Sequence, residues 1–161
     1  IRQLSGYLRS TLAARESGLV PLGEELEAIT GYLNLEKVRF EENLAVSIHA
    51  PFALHDAMIP ELLIQPLVEN AVKHGMKTSP MPLQVDVSCR EANGSLAIAV
   101  SNTGRWIGRD NGNGNGDGGV GLENIRKRLS LTYGDRYRLH IDEKNKRVYV
   151  TVEVPREGGN P

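Results

Sequence analysis

The stretch Pro60–Gly75, PELLIQPLVENAVKHG, decides the fold that this sequence can adopt. Its apolar residues recur at helical spacing and would form one buried stripe: Leu62, Leu63, Leu67, Val68, Ala71 and Val72. Such a stripe indicates an amphipathic helix. Proline suits a first helical turn, where a backbone N–H has no partner, and glycine suits the left-handed conformation that ends a helix. We therefore predict a helix from Pro60 to Gly75.

Three polar residues of this helix, Asn70, Lys73 and His74, are spaced so that they lie one turn apart on one side. An amide, an ammonium and an imidazole beside an apolar face form a suitable wall for a charged ligand that also carries an apolar ring. The alternative is that they only solvate the last turn. The helix alone leaves both interpretations open.

A second stretch, Gly118–Leu129, reads GGVGLENIRKRL. Gly119 and Gly121 would let the backbone approach a ligand closely, and a helical pattern with Leu122 on its apolar face follows at once. No Ser, Thr or Asp caps that helix at Gly121, so its first N–H groups and the positive end of its dipole are available to an anion such as phosphate. A glycine pair before a helix can also be a simple turn.

Together these stretches resemble the N box and the second glycine box of sensor histidine kinases of the LytS-like, autolysin-regulator type. These kinases belong to the superfamily of gyrase, heat-shock-90, histidine-kinase and mismatch-repair ATPases. The segment 22–44, LGEELEAITGYLNLEKVRFEENL, is similar to the helix and strand entry that precede the N box in that family. The resemblance covers nearly the whole chain.

The resemblance implies ATP and Mg²⁺ as cofactors and assigns roles in the N box. Asn70 matches the asparagine whose side-chain oxygen coordinates magnesium, an ion that prefers hard oxygen ligands and shares its shell with phosphates and water. Lys73 would contact phosphate oxygens, and His74 would line the ribose or the base. Glu69 could polarise an attacking group or remain a solvated carboxylate. The candidate catalytic residues are therefore Asn70, Lys73 and Glu69.

Ser101-Asn102-Thr103-Gly104 falls where the superfamily has Asp-x-Gly, whose carboxylate accepts a hydrogen bond from the adenine amino group. Asn102 can accept that bond without charge, which weakens it from ~1.5–3 to ~0.5–1.5 kcal/mol. Gly104 would permit close approach of the base. On this basis Asn102→Asp is predicted to improve ATP affinity by up to about tenfold and to increase discrimination against GTP. The glycine box supplies the remaining candidate nucleotide contacts, Gly119, Gly121, Leu122 and Asn124.

Pro66 stands four residues before Asn70, where gyrase-like ATPases have the base that activates water. This argues against efficient hydrolysis and for phosphoryl transfer to a protein side chain. The phosphate-accepting histidine of the family lies in an earlier helix, and no histidine of this chain has its surroundings. The resemblance thus implies a catalytic fragment that is inactive alone.

Composition sets the remaining bounds. The 161 residues, 40% of them hydrophobic, suffice for one core and a small helical extension. A net charge of -1 gives no field that would recruit nucleic acid or an anionic membrane. Cys89 is the single cysteine, which fits a reducing cytoplasm, and no apolar run reaches the roughly 18 residues of a membrane span. We expect a cytoplasmic domain whose membrane anchor, in an inner-membrane sensor, lies outside this sequence.

The fold class predicted is α+β: a two-layer α/β sandwich with a mixed, mostly antiparallel sheet, preceded by a helical segment. About five strands are expected, at Leu44–Ala50, Leu83–Arg90, Ser95–Ser101, Arg136–Asp142 and Arg147–Val154. The Asn-Gly pair at Asn93-Gly94 predicts a hairpin between the second and third strands, and the last two would form a hairpin across Glu143–Lys146. Residues 1–40 would be the end of a helical dimerisation and phosphoacceptor region, 41–156 the catalytic domain and 157–161 a tail. The helices predicted at Ile1–Arg15 and Glu24–Phe40 suggest a dimerising hairpin; alternatively they pack on their own domain.

Residues 104–118, GRWIGRDNGNGNGDG, contain few side chains that can pack. Such a composition is typical of a flexible linker, but its position before the glycine box favours a mobile lid over a nucleotide. Trp106 could cover an adenine or pack on the sheet edge.

These features predict the ATP-binding catalytic domain of a two-component sensor histidine kinase. Its partners would be a response regulator and, through the N-terminal helices, a second copy. Two alternatives remain: a degenerate nucleotide-sensing module that acts through assembly, which the neutral Asn102 favours, and a relative that phosphorylates serine in a protein partner.

Overall fold

The computed structural model describes residues 17–107 and 120–156. Three helices, α1 (Leu22–Phe40), α2 (Gln65–Thr78) and α3 (Val120–Tyr133), alternate with strands. The strands are β1 (Leu19–Pro21), β2 (Leu44–His49), β3 (Met58–Pro60), β4 (Leu83–Ala92), β5 (Ser95–Thr103), β6 (Arg138–Lys144) and β7 (Arg147–Pro155). Short 3₁₀ turns at Glu41–Asn43 and Phe52–Leu54 flank β2.

A five-stranded sheet with the order β2-β4-β5-β7-β6 forms one layer. Only β2 and β4 pair in parallel; the other neighbours are antiparallel. Residues alternate across the sheet as strand geometry requires: in β4, Val85 and Val87 are buried and Gln84 and Ser88 are exposed. The buried face shares one core with all three helices. The predicted two-layer sandwich is confirmed, and the five predicted strands are each found to within two residues.

Two hairpin turns show why the antiparallel strands meet where they do. Asn93 and Gly94 have positive φ angles of 52° and 74°, as a two-residue hairpin of the favoured twist requires. This confirms the predicted Asn-Gly hairpin. Asn145 and Lys146 adopt φ angles of 54° and 58°, so the last turn is shorter than the predicted one.

The central helix begins later than the sequence predicts. Pro60 is not in its first turn but ends β3, where it pairs with Leu19 of β1. Helix α2 starts at Gln65, and Pro66 is the proline of its first turn. The leucine pair after Pro60 thus belongs to a turn, because a helix continuing back to Pro60 would forbid the β1–β3 pairing.

The same helix also ends later than predicted. Gly75 lies inside it, and the helix continues to Thr78. A Cβ at position 75 would come within 2.5 Å of Leu83 Cδ1 and 3.2 Å of Asn102 Nδ2. The glycine therefore serves close packing of the helix on the sheet rather than helix termination.

Helix α1 packs on the same core as the sheet. Its buried face comprises Leu22, Leu26, Ile29 and Leu33, together with one acidic residue, Glu25. Helix α1 therefore packs on its own domain, as one of the two alternatives expects, and dimerisation through the N-terminal helices stays a prediction. The predicted helix at Ile1–Arg15 and the predicted tail lie outside the described residues, and the proposed domain limits stay predictions.

Candidate functional site

A cavity of about 20 Å³ lies where α2, β5 and the start of α3 meet. Four predicted site residues line it: Asn70, His74, Asn102 and Leu122. Its other lining residues are Leu67, Ala71, Val100, Arg105, Trp106, Val148 and Val150. The structure therefore brings the N box, the Asn-x-Gly strand end and the glycine-box helix together. A space of this size holds about one water molecule.

His74 supplies the least satisfied group of the cavity. Within the described residues, its Nδ1 atom is buried and has no hydrogen-bond partner. Burial, and then the positive charges of Lys73 and Lys77, lower the pKa of His74 from its ordinary value of 6.5. The imidazole is consequently neutral at pH 7 and offers one donor and one acceptor nitrogen. A ligand polar group could satisfy the orphaned atom.

Asn102 is 6% exposed and is held by its own strand. Its Nδ2 donates a hydrogen bond of 2.8 Å to the Thr103 carbonyl oxygen. Because a carbonyl only accepts, this bond also fixes which end of the amide is nitrogen. The oxygen Oδ1 remains to accept a hydrogen bond from a ligand. An aspartate here could not donate to Thr103, which bears directly on the predicted effect of Asn102→Asp.

Asn70 lies in the second turn of α2, opposite the first turn of α3. A Cβ at Gly121 would stand 3.3 Å from Asn70 Nδ2. Gly121 therefore gives the N-box asparagine room, in addition to any approach to a ligand. Leu122 is buried and lines the cavity, whereas Asn124 is exposed and does not. Gly119 lies outside the described residues.

Lys73 and Glu69 do not line the cavity. Both are exposed, and Glu69 Oε1 accepts a 2.9 Å hydrogen bond from Gln65 one turn earlier. Glu69 also faces α1: burial, and then the charges of Glu36 and Glu69, raise the pKa of Tyr32 to about 12. The contact of Lys73 with phosphate oxygens and the action of Glu69 on an attacking group stay predictions.

Gly104 joins the end of β5 to the end of α2. Its φ of 117° favours glycine, and a Cβ there would lie 2.3 Å from Thr78 Oγ1 and 3.1 Å from the Ser79 nitrogen. Its N–H donates to the Lys146 carbonyl at 2.8 Å. The close approach that Gly104 permits in this structure is to the helix end. Its approach to a base stays a prediction.

Trp106 packs against the core, as one of its two interpretations expects, and also lines the cavity; that it covers an adenine stays a prediction. The backbone N–H of Trp106 donates a 3.0 Å hydrogen bond to Glu143 Oε2, and the backbone N–H of Arg105 donates one of 3.0 Å to Thr78 Oγ1. Arg105 places a cation at the cavity, which no sequence pattern indicated. Of the predicted lid, residues 108–118 lie outside the described residues.

The donor set bears on which metal could fit. Among the residues that the structure describes, no group of three or more His, Cys, Asp or Glu side chains could hold a metal ion. Asn70 offers one hard amide oxygen at the cavity, and magnesium tolerates a single protein ligand when phosphates and water complete its shell. The set therefore fits Mg²⁺ carried by a nucleotide.

In the same described part, no helix is long and apolar enough to cross a membrane.

Comparison with known proteins identifies relatives of this chain and of its fold. The family described as histidine kinase matches residues 1–44. The sensor histidine kinase YesM of Bacillus subtilis strain 168 is 29% identical over 160 residues, covering 98% of this chain and 28% of the relative. The sensor protein LytS of Staphylococcus haemolyticus strain JCSC1435 is 32% identical over 161 residues, covering 95% of this chain and 28% of the relative. This chain thus spans under a third of the length of these relatives.

Solved structures confirm the fold. The catalytic domain of histidine kinase ThkA superposes with a TM-score of 0.60 at 15% identity, covering 86% of this chain and 95% of that domain. ThkA in complex with the response regulator protein TrrA superposes with a TM-score of 0.62 at 12% identity, covering 96% of this chain and 49% of that one. The fold is that of a histidine kinase catalytic domain. Its sequence relatives are sensor histidine kinases of the LytS-like type, which confirms the predicted resemblance to that family.

Proposed function

We propose that this chain is the ATP-binding catalytic domain of a two-component sensor histidine kinase. It would transfer the γ-phosphoryl group of ATP to a histidine outside this sequence. The observation that carries the proposal is a single cavity lined by Asn70, His74, Asn102 and Leu122, which come from three separated motifs. The relatives named above support it.

The chain's own side chains would hold Mg-ATP from two directions. Asn102 Oδ1 accepts a hydrogen bond from the adenine amino group, and Asn70 Oδ1 supplies one oxygen to Mg²⁺. When bound, the metal neutralises negative charge on the phosphates. Lys73, exposed one turn beyond Asn70, would contact phosphate oxygens.

Binding would require the cavity to open. Its volume of about 20 Å³ is far too small for a purine. The residues able to enlarge it are Arg105 and Trp106, which precede the glycine-rich stretch and are tied to neighbouring elements by a few hydrogen bonds. Movement of this segment would exchange those bonds for contacts with the nucleotide and exclude water from it.

The proposal includes partners and location. A response regulator would receive the phosphoryl group, since the complex of ThkA with TrrA pairs a kinase of this fold with such a protein. A second copy would associate through the N-terminal helical region. The domain would lie in the cytoplasm, in a sensor anchored to the inner membrane.

A second candidate is a nucleotide-sensing module that binds ATP without transferring phosphate. The observation that favours it is the placement of Glu69 and Lys73, which are exposed and do not line the cavity. Such a module would change conformation on binding and act through assembly.

Titration with Mg-ATP tests nucleotide binding. Trp106 is the single tryptophan of the chain and lines the cavity, so its fluorescence should change on binding. Asn70→Ala should abolish the magnesium-dependent part of the affinity, measured calorimetrically with and without the metal. Asn34→Ala, which removes an exposed amide from α1, is the matched control and should bind as the parent does. Equal affinities for the parent and Asn70→Ala, at every magnesium concentration, would refute the assignment.

A longer chain that includes the acceptor-bearing helix separates the two candidates. Phosphohistidine formation from ATP, lost in Asn70→Ala and kept in Asn34→Ala, would establish the kinase. Nucleotide binding with no phosphohistidine would favour the sensing module.

A further inference from the structure

The turn that precedes α2, Glu61–Ile64, is an unusual piece of backbone. Leu62 adopts a φ of 57°, a left-handed conformation that costs free energy in any residue with a branched or long side chain. Its side chain is half exposed and contributes little burial to offset that cost. A residue keeps such a conformation only where its surroundings determine it fully. The surroundings here are two charged side chains from two other helices.

Glu25 of α1 holds the N–H groups of this turn. Its carboxylate is 5% exposed, with Oε1 accepting from the Leu62 N–H at 2.7 Å and Oε2 from the Ile64 N–H at 3.0 Å. Both oxygens are thereby used, which is how a buried carboxylate avoids its large desolvation cost. Negative charge at this point also complements the positive N-terminal end of α2.

Arg128 of α3 holds the carbonyl groups of the same turn. Its Nη1 donates to the Glu61 carbonyl and, at 3.1 Å, to the Leu62 carbonyl. One anion on the N–H side and one cation on the carbonyl side therefore fix a single turn of backbone. Through this turn α1, α2 and α3 meet at one point.

The backbone around Glu25 adds a second connection to the same region. Strand β1 pairs with β3 directly before the turn, and the Glu61 N–H donates to the Gly18 carbonyl at 3.0 Å. At the start of α1, the Leu22 N–H donates to the Ala57 carbonyl at 2.8 Å. The start of α1 is thus attached rigidly to the segment that leads into α2.

We propose that Glu25 is a positioning residue for the nucleotide site and couples α1 to it. By fixing where α2 begins, the carboxylate sets the position of Asn70 and His74 relative to Asn102 on the sheet. Arg128 extends the same constraint to α3, whose first turn carries Gly121 and Leu122. A displacement of α1 would therefore reach the site through Glu25. This inference rests on the proposed nucleotide-binding function.

The test compares Glu25→Gln with two controls in the complete chain. Glutamine keeps the length of the side chain but has one acceptor oxygen, and its NH₂ faces one of the two N–H groups. Glu27→Gln makes the same charge change at an exposed position of the same helix. Ile29→Val removes one methyl from the fully buried face of α1 and controls for lost stability alone. For each variant the Kd for Mg-ATP, the unfolding midpoint and amide exchange at Leu62 and Ile64 are measured.

We expect Glu25→Gln to weaken Mg-ATP binding by roughly tenfold, as loss of a positioning partner commonly does. Amide exchange at Leu62 and Ile64 should accelerate in this variant alone. Ile29→Val should lower the unfolding midpoint with the Kd unchanged, and Glu27→Gln should change neither quantity.

Two results would overturn the inference, and they differ from each other. If the parent binds Mg-ATP and Glu25→Gln binds it equally well, Glu25 has a structural role only, and the proposed function survives. If the parent binds no nucleotide, the proposed function fails and the positioning role fails with it. If Glu25→Gln does not fold, Arg128→Met replaces it, because loss of the carbonyl-side contacts should release the same turn and weaken binding in the same way.

Discussion

The two walls of the cavity satisfy their polar groups differently. On the strand wall, Asn102 donates to the neighbouring Thr103 carbonyl and is almost fully buried. On the helix wall, the buried Nδ1 of His74 has no partner within the described residues. On the strand wall the amide nitrogen therefore has its partner without a ligand, whereas on the helix wall the buried His74 nitrogen has none and costs free energy until a ligand group binds it.

This difference indicates which part of a ligand each wall would contact. A satisfied, buried amide stays in one orientation and presents one oxygen, which suits recognition of a fixed ring. The unpaired Nδ1 of His74, beside Lys73, suits a hydrogen bond to a polar group of the ligand. The two walls are joined by glycines, Gly75 inside the helix and Gly104 at the end of the strand, because each permits a contact that a side chain would block.

The largest effect is expected from Gly104→Ala, which would disrupt the contact between the end of β5 and the end of α2. The new Cβ would lie 2.3 Å from Thr78 Oγ1 at a φ of 117°, so steric overlap and backbone strain both act. We expect unfolding free energy to fall by roughly 2–5 kcal/mol in chemical denaturation. Gly134→Ala is the matched control: its φ is 61° and nothing lies within 4 Å of the new Cβ. It should cost only about 1 kcal/mol. Equal losses in the two variants would show that Gly104 is not packed as described.

Asn102→Asp tests whether the strand wall is fixed by its own hydrogen bond. A carboxylate would lose the bond to Thr103 and face its carbonyl, so we expect the unfolding free energy to fall by about 1–3 kcal/mol at pH 7. The affinity gain expected from sequence alone should accordingly be offset in part, while discrimination of ATP against GTP should still rise. Calorimetric titration with both nucleotides measures the second effect. A full tenfold gain with no loss of stability would mean that the Thr103 bond is unimportant.

The smallest effect concerns His74 and pH. Burial lowers the pKa of His74 below 6.5 in the folded chain. As the pH falls, His74 is therefore protonated at a higher pH in the unfolded chain than in the folded chain. Stability from this group is therefore complete above about pH 6.5 and declines as the pH falls below it, until the folded pKa is reached. Denaturation at a series of pH values should show this decline, and His74→Gln should remove it. His140→Gln, at an exposed histidine, is the control that should retain it. An unchanged pH profile in His74→Gln would contradict the assignment.

The helical spacing predicted correctly that some residues of α2 would lie side by side. Asn70 and His74 are four residues apart on the helix and both line the cavity, whereas Lys73, predicted on the same side, is exposed and does not line it. Leu122 lies buried on the predicted apolar face of α3 and also lines the cavity. Arg105 could not be placed, since it leaves the end of a strand and its direction depends on the contacts of the following turn.

The sequence position of Glu25 indicates a buried acidic side chain. The apolar positions of α1 are Leu22, Leu26 and Ile29, and residue 25 falls on that same stripe. An acidic side chain at a core-facing position needs buried partners. The helical pattern thus indicates that Glu25 is satisfied inside the protein, but the partners, two N–H groups of a turn 37 and 39 residues later, follow only from the tertiary fold.

Strand alternation and helical period are local properties that can be recognised in the sequence. From them the sequence predicts the five-strand sandwich, its Asn-Gly hairpin and the helices of the N box and glycine box. Where the central helix begins and ends depends instead on contacts between distant segments. Pro60 and Gly75 are each compatible with a helix terminus, yet pairing with Leu19 takes the first into a strand, and packing against Leu83 keeps the second inside the helix. Local preferences of about 1 kcal/mol are overridden when a strand pair or a buried contact between distant segments contributes more.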